Sequence, residues 1–223
     1  MKKIIILSAL FIANLQTAFC QMGALKGSGK VVTRTFAFKN FDSIHLKDFD
    51  GKIEVEVGKG YSIKIAIDDN LEPLLLVNEN NKTLSIALDK NENNRRYVEN
   101  SNIKITIKVP QLSKVLQTGN SDTYLSGVES KILIVKISGN GNLVVAGNTE
   151  NINIKKSGNG NVEAGKLNAK NANIFSTGNG DIKVNVSDNF MATRSGNGNI
   201  KNIGKAKASA NSQKIGNSEI ISN

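Results

Sequence analysis

The pentapeptide SGNGN at residues 138–142 recurs at nearly constant spacing through the second half of this chain. Three full copies follow it, SGNGN at 157–161, TGNGD at 177–181 and SGNGN at 195–199, and degenerate copies stand at 118–122 (TGNSD) and 215–219 (IGNSE). The steps between copies are 20, 19, 20, 18 and 20 residues, counted from the first glycines, which are Gly119, Gly139, Gly158, Gly178, Gly196 and Gly216. A period this regular, with no room for a helix in each unit, predicts an all-β fold built on a right-handed parallel β-helix of about six coils.

The glycines of the pentapeptide are expected to form the structural corners of these coils. A chain that turns within two or three residues needs positive φ angles, which glycine adopts at little steric cost. The asparagines tolerate the same region, and copies stacked ~4.8 Å apart can form a ladder of side-chain amides. The Ser or Thr before each glycine is placed to hydrogen-bond exposed corner backbone. These roles explain the motif without a ligand.

Aliphatic residues keep fixed offsets from the first glycine of each copy. The offsets are four and six residues on either side, which matches the period of two of a β-strand. The positions before the glycine are Leu133 and Val135, Ile152 and Ile154, Ala172 and Ile174, and Phe190 and Ala192; those after it include Leu143, Val162, Ile182, Ile200 and Ile220, with Leu125, Val145, Ala164 and Val184. These columns predict an aliphatic interior, and the mostly polar odd offsets are expected to face outward.

Residues 31–112 show a different pattern, in which single apolar residues alternate with polar ones. The alternation predicts half-buried strands around residues 53–57, 63–67, 84–88 and 103–109. We expect this N-terminal β region to be partly antiparallel and to cap the β-helix repeats of residues 113–223 in one domain spanning 31–223. No amphipathic helix is predicted.

The first twenty residues have the pattern of a signal peptide. Lys2 and Lys3 precede a short apolar stretch, and Ala18 and Cys20 offer small residues at a cleavage site. Acylation of Cys20, as in a lipoprotein, is the alternative. Either reading predicts an exported protein that is periplasmic, outer-membrane-associated or extracellular. Glycine-rich residues 21–30 are expected to form a flexible leader.

Composition narrows the function classes. Cleavage after Cys20 leaves no cysteine, which excludes disulfides, thiolate nucleophiles and cysteine metal sites. The formal net charge is +10, and removing Lys2 and Lys3 lowers it to +8. For an exported protein this charge favours anionic polysaccharide over nucleic acid as a partner, although general solubility explains it equally well. No apolar run after the signal is long enough for a transmembrane helix.

Catalytic and metal chemistry find little support in the sequence. Asp122 and Asp181 lie three predicted coils apart, or ~14 Å, beyond the 5–9.5 Å of glycosidase carboxylates, and Glu219 stands in a degenerate copy. The repeats lack the regular aspartates of calcium-binding solenoids. His45, the single histidine, is read as a surface residue, and no nucleophile-elbow motif is present. We therefore predict no enzyme activity, no metal and no cofactor.

One surface feature points to a ligand. Basic residues two and three positions before the corner glycines, with one aromatic among them, would line up as a stripe suited to a linear anionic polymer. The stripe comprises Lys136, Lys155, Lys156, Phe175, Arg194 and Lys214. The alternative is a solvated face whose lysines protect the molecule from aggregation.

Several short motifs, taken in order, resemble a known family, the bacterial putative auto-transporter adhesin head GIN domain, a domain of unknown function common in Bacteroidetes. The resemblance covers about residues 35–220 and rests on residues 41–44 (FDSI), 52–57 (KIEVEV), 68–71 (DDNL), 82–84 (KTL) and 105–110 (ITIKVP), followed by the SGNGN series. It implies a right-handed β-helix on an exported protein with a proposed role in adhesion, and it supplies no catalytic residues.

Three functional hypotheses follow from these observations. The first is a non-enzymatic envelope or surface protein that binds glycan, another anionic polymer or a host or cell surface. The second is a structural protein of the envelope that assembles as a homo-oligomer through the sides or ends of the repeats. The third is a polysaccharide-degrading enzyme, which the carboxylate positions disfavour.

Overall fold

A computed structural model describes residues 25–89 and 98–222 of the chain. These residues form seventeen strands and one 3-10 turn, η1 (Glu72–Leu74). The strands are β1 (Leu25–Lys26), β2 (Val31–Phe36), β3 (Ser43–Phe49), β4 (Lys52–Val57), β5 (Ser62–Asp68), β6 (Leu75–Asn80), β7 (Thr83–Leu88), β8 (Val98–Glu99), β9 (Lys104–Val109), β10 (Lys114–Gly119), β11 (Asp122–Ser138), β12 (Leu143–Ser157), β13 (Val162–Thr177), β14 (Ile182–Ser195), β15 (Ile200–Asn202), β16 (Gln213–Ile215) and β17 (Ile220–Ser222). The all-β class is confirmed.

The architecture differs from the expected β-helix. Fifteen strands join one mixed sheet, and β1 and β8 form a separate parallel pair. Within the large sheet, β2 pairs with β5, β5 with β9 and β6 with β7 in antiparallel fashion. The prediction of a right-handed parallel β-helix is therefore wrong as a description of this fold. The N-terminal strands are also no separate cap, because β3 and β4 continue the sheet by pairing with β10 and β11.

A tight turn shows why one antiparallel pair arises. Asn81 and Lys82 connect β6 to β7 with φ angles of 49° and 60°. Positive φ at two consecutive residues is typical of a type I′ turn, which reverses the chain into a hairpin. The pentapeptide spacing indicates only how neighbouring copies align. It therefore predicts nothing about antiparallel strand pairs outside the repeats.

The repeated half of the chain does follow the predicted columns. Strands β11 to β14 pair in parallel, and the register aligns Leu133 with Ile152, Ala172 and Phe190. These four side chains are at most 5% exposed. The predicted aliphatic interior is confirmed, and it is continuous with the buried residues of β3, β4, β5, β7 and β9.

The corners also behave as the sequence predicts. All six first glycines have positive φ, from 91° at Gly178 to 133° at Gly139. A Cβ on Gly139 would lie 1.9 Å from the carbonyl oxygen of Gly119, so close packing of neighbouring corners excludes a side chain as well. The amide ladder is present: Asn140 donates to Asn120 over 3.0 Å, and Asn159 donates to Asn140 over 2.8 Å.

The segment before β2 is anchored to the body of the protein. The buried Asp68 carboxylate accepts hydrogen bonds from the backbone N–H of Gly29 (2.9 Å) and of Asn102 (2.6 Å). Ser28 donates its backbone N–H to Asn70 Oδ1 over 3.0 Å. Part of the expected flexible leader is therefore hydrogen-bonded to the body of the protein, through Ser28 and Gly29. The predicted signal peptide of residues 1–20, including Cys20, lies outside the described residues.

Candidate functional site: the outer column and the basic face

The structure divides the predicted basic stripe into two columns. Lys156 and Arg194, expected on the surface, are 1% and 0% exposed and point into the interior. Both lie two residues before a corner glycine, and an even offset shares the inward face with the aliphatic offsets of four and six. The strand period of two therefore indicates an inward position for both side chains. The prediction of a surface position relied on their charge instead. We call the aligned residues Gln117, Lys156, Ser176 and Arg194 the inner column.

Backbone carbonyls of the corners accept hydrogen bonds from the buried cations of the inner column. Lys156 Nζ donates to the oxygens of Gly158 (2.8 Å) and Asn179 (2.6 Å). Burial, followed by the charge of Arg194, lowers the pKa of Lys156 to about 8. The two cations thus serve the fold rather than a ligand.

Arg194 is bound more extensively than Lys156. Its guanidinium donates to Ser176 Oγ over 2.6 Å, to the oxygens of Gly178 (3.2 Å) and Gly180 (2.8 Å), and to the oxygen of Asn197. Burial lowers the pKa of Arg194, and the nearby Asp181 carboxylate opposes this effect. The side chain therefore links two consecutive corner segments, residues 177–181 and 195–199.

The other half of the stripe is on the surface, as predicted. Lys136, Lys155 and Phe175 align across β11, β12 and β13 and are all exposed, Phe175 by 45%. The Lys155 ammonium lies 5.9 Å from the centroid of the Phe175 ring, in a cation–π arrangement. We call these three residues the outer column. Lys214 is exposed on β16, but its register places it beside Arg194, one residue out of this column.

Three further residues extend the outer column into a wider surface. These three residues were not identified from the sequence. Leu116 precedes Lys136 in register, and Lys114 and Ile134 are aligned beside them. Odd offsets from the corner glycines would have identified all three. We call the outer column together with these three residues the basic face. None of its lysines has a carboxylate within salt-bridge distance among residues 25–89 and 98–222.

His45 lies at the edge of the basic face. It is aligned with Leu116 and is half-buried rather than fully exposed on the surface as expected. Burial lowers the pKa of His45, and the positive charges of Lys47 and Lys114 lower it further. The imidazole therefore adds no positive charge at neutral pH, and the charge of the face comes from its lysines.

A second outward-facing surface, which includes the first residues of β4, β9, β13 and β14, has a different arrangement of charge. Glu54 on β4 lies 2.8 Å from Lys52 and 3.0 Å from Lys104. These two hydrogen-bonded lysines lower the pKa of Glu54. Glu163 and Lys183, aligned on β13 and β14, lie 3.4 Å apart. On this face, which we call the paired face, acidic and basic side chains largely neutralise each other.

Two of the carboxylates considered for catalysis accept hydrogen bonds from backbone N–H groups. Asp122 Oδ1 accepts the backbone N–H of Asn142 over 2.9 Å, and Asp181 Oδ1 accepts that of Asn199 over 2.7 Å. In the part of the chain that the structure describes, no three His, Cys, Asp or Glu side chains are grouped as a metal site requires. The same residues include no helix with the length and apolarity needed to cross a bilayer.

Solved structures share this fold. A putative adhesin from Bacteroides fragilis NCTC 9343 is 24% identical, with a TM-score of 0.66 over 90% of this chain and 100% of that chain. A putative adhesin from Parabacteroides merdae ATCC 43184 is 20% identical, with a TM-score of 0.52 over 90% and 99%. A putative lipid binding protein from Parabacteroides distasonis ATCC 8503 is 19% identical, with a TM-score of 0.54 over the same shares.

The sequence comparison gives the family directly. No curated protein matches the chain. The family model described as "Putative auto-transporter adhesin, head GIN domain" matches residues 40–206, a range that extends from the start of β3 through the last full SGNGN copy. The family and the similar structures are named as adhesins or binding proteins, and none of those names describes an enzyme. The chain belongs to the Putative auto-transporter adhesin, head GIN domain family.

Proposed function

We propose that this protein is an exported, non-enzymatic adhesion module that binds an anionic polysaccharide or a similarly charged cell surface through its basic face. The observation that carries the proposal is the lack of carboxylate partners for Lys114, Lys136 and Lys155 among the described residues. A row of unpaired cations attracts a linear polyanion, whereas paired charges present little net field.

The geometry of the face supports an extended ligand. Neighbouring strands are ~4.8 Å apart, so Lys136 and Lys155 present charges at short intervals along one line. Phe175 adds a flat apolar surface that can stack on a sugar ring. A shallow, open depression of about 220 Å³ lies between Lys136, Lys155 and Phe175, which suits binding to a polymer better than catalysis on it.

Retention on immobilised polygalacturonate and heparin in a salt gradient tests the proposal. The variant K136E/K155E should elute at much lower salt than the wild type. The control K166E/K201E makes the same change in net charge at exposed positions outside the basic face, and it should elute close to the wild type. Equal losses in the two variants would reduce the effect to net charge and contradict the proposal.

Self-association is a second candidate function, and one observation favours it. Strand β17 forms one edge of the large sheet in the described residues, and Ile215 on β16, which pairs with β14, is 66% exposed. Exposed edges and apolar side chains promote pairing with another copy. Light scattering should then show a dimer or larger assembly that the variant I215K dissociates, and a monomeric wild type would exclude this candidate.

A further inference from the structure

A groove of about 960 Å³ borders the basic face, because Ser113 of its lining directly precedes Lys114 and Ile132 lies two residues from Ile134. Residues 111–113, just before β10, and Asp42 close one end of it, and Ser187 on β14 lies at the other. The backbone N–H of Ser113 donates to the carbonyl oxygen of Asp42 over 2.8 Å, so the closed end is fixed. The groove therefore crosses the four strands β11 to β14.

A ladder of side-chain amides lines this groove. Asn168 Nδ2 donates to Asn148 Oδ1 over 2.9 Å, and Asn185 Nδ2 donates to Asn168 Oδ1 over 3.0 Å. The ladder starts at the carboxylate of Glu129, which accepts a hydrogen bond from Asn148. A primary amide has two N–H donors and two acceptor lone pairs, so each step of the ladder keeps one of each for a ligand. Because the amides already hold one another in place, binding would cost little side-chain entropy.

The charges of the groove are nearly balanced. Three carboxylates, of Asp42, Glu129 and Glu150, face two ammonium groups, of Lys131 and Lys170. Glu150 and Lys170 lie 3.7 Å apart, and Glu129 is occupied by Asn148. A charged polymer would gain little here, in contrast to the basic face. The donors and acceptors on offer suit an uncharged polar ligand.

An apolar side chain stands among these polar groups. Ile132 lines the groove and is 49% exposed. The buried side chains of Leu112 and Ala169 lie along the same lining. Sites that combine a few ordered hydrogen-bonding groups with an apolar contact are typical of small-molecule binding. A sugar ring offers hydroxyls for the amides and a C–H face for the isoleucine.

We propose that this groove is a second binding site, and that it takes a neutral oligosaccharide. Successive hydroxyl groups exchange hydrogen bonds with the amides of Asn148, Asn168 and Asn185, and the C–H face of one ring packs on Ile132. The site differs from the basic face in its lining residues and in the ligand charge that it suits.

A glycan array presenting neutral hexamers of glucose, mannose and galactose, followed by calorimetry with the captured sugar, tests this site on the full chain. The variant I132R should weaken binding by at least about tenfold, because it places a charged side chain in the groove. Ile132 is half exposed, so the variant should fold, and an unchanged melting temperature would verify this. The variant N168L, which interrupts the ladder, should cause a similar loss.

K155E is the matched control, and it should leave binding of the neutral sugar unchanged while reducing retention on polygalacturonate. If the protein were not retained on polygalacturonate or heparin, the outcome of the neutral-sugar measurement would therefore be unaffected. Absence of any captured neutral sugar, or equal affinity of I132R and the wild type, would each overturn the proposal.

Discussion

The inner and outer columns run side by side across β12 and β13, where adjacent residues belong to different columns. Lys155 is exposed and contacts Phe175, whereas Lys156 is buried and donates to two corner carbonyls. Alternation along a strand places the two ammonium groups on opposite sides of the same sheet. The offset of a lysine from the corner glycine therefore decides whether its side chain is buried and stabilises the fold, or is exposed and available to a ligand.

Replacing a corner glycine should disrupt both columns at once, and this is the largest expected effect. In G139A the new Cβ meets the Gly119 carbonyl oxygen at 1.9 Å, and neither backbone can move without shifting its neighbours. We expect a loss of at least about 3 kcal/mol in the free energy of unfolding, measured by urea denaturation. The control is G58A, where φ is 85° but no atom lies within 4 Å, so only about 1 kcal/mol of backbone strain is expected. Equal losses would show that packing between corners is unimportant.

Removing the inner-column arginine should have the next largest effect. R194M leaves the carbonyls of Gly178, Gly180 and Asn197 without their donor, and each buried group left unpaired costs about 1–3 kcal/mol. We expect a loss of about 2–4 kcal/mol in unfolding free energy. The outer-column variant K155M should change it by less than about 0.5 kcal/mol. A neutral result for R194M would mean that Arg194 contributes nothing net to stability.

The inner-column lysine should give the protein a pH-dependent stability. The pKa of Lys156 is about 8 in the folded state, below the ~10.4 of an unfolded lysine. Between these values the unfolded chain binds more protons, so stability should rise as the pH increases from 8 to 10. Urea denaturation across this range should show the rise in the wild type, and K156M should lack that part of it. Parallel profiles would contradict the buried position of the ammonium group.

The smallest effect is expected for the aromatic residue of the outer column. F175A removes the contact with Lys155, which at an exposed site contributes less than about 1 kcal/mol. Thermal denaturation should therefore change little, while elution from polygalacturonate should shift modestly to lower salt. A large loss of stability without a shift in elution would assign Phe175 to the fold instead.

Periodicity in the sequence predicted much of the fold and half of the candidate site. The offsets from Gly139 and its equivalents located the aliphatic columns and the exposed Lys136 and Lys155 correctly. The sequence predicted that residues 31–112 are partly antiparallel, but it did not identify which strands pair, because those segments share no repeat. The anchoring of residues 25–30 by Asp68 was missed for the same reason, since a single buried carboxylate leaves no periodic signal.

The groove escaped prediction for another reason. Asn148, Asn168 and Asn185 stand nine, ten and seven residues after their corner glycines, because the register shifts after Val144 between β12 and β13 and after Ala164 between β13 and β14. Their alignment becomes visible only when the strands are paired. Features that depend on where a strand bends therefore require the structure.

Amine acetylation followed by tandem mass spectrometry, with and without polygalacturonate, measures both columns in a single experiment. In the free protein Lys136 and Lys155 should be modified rapidly and Lys156 hardly at all. The polymer should protect Lys136 and Lys155 while leaving Lys201, on the paired face, as reactive as before. Rapid modification of Lys156, or equal protection of Lys201 and Lys155, would contradict the division between a buried structural column and an exposed binding column.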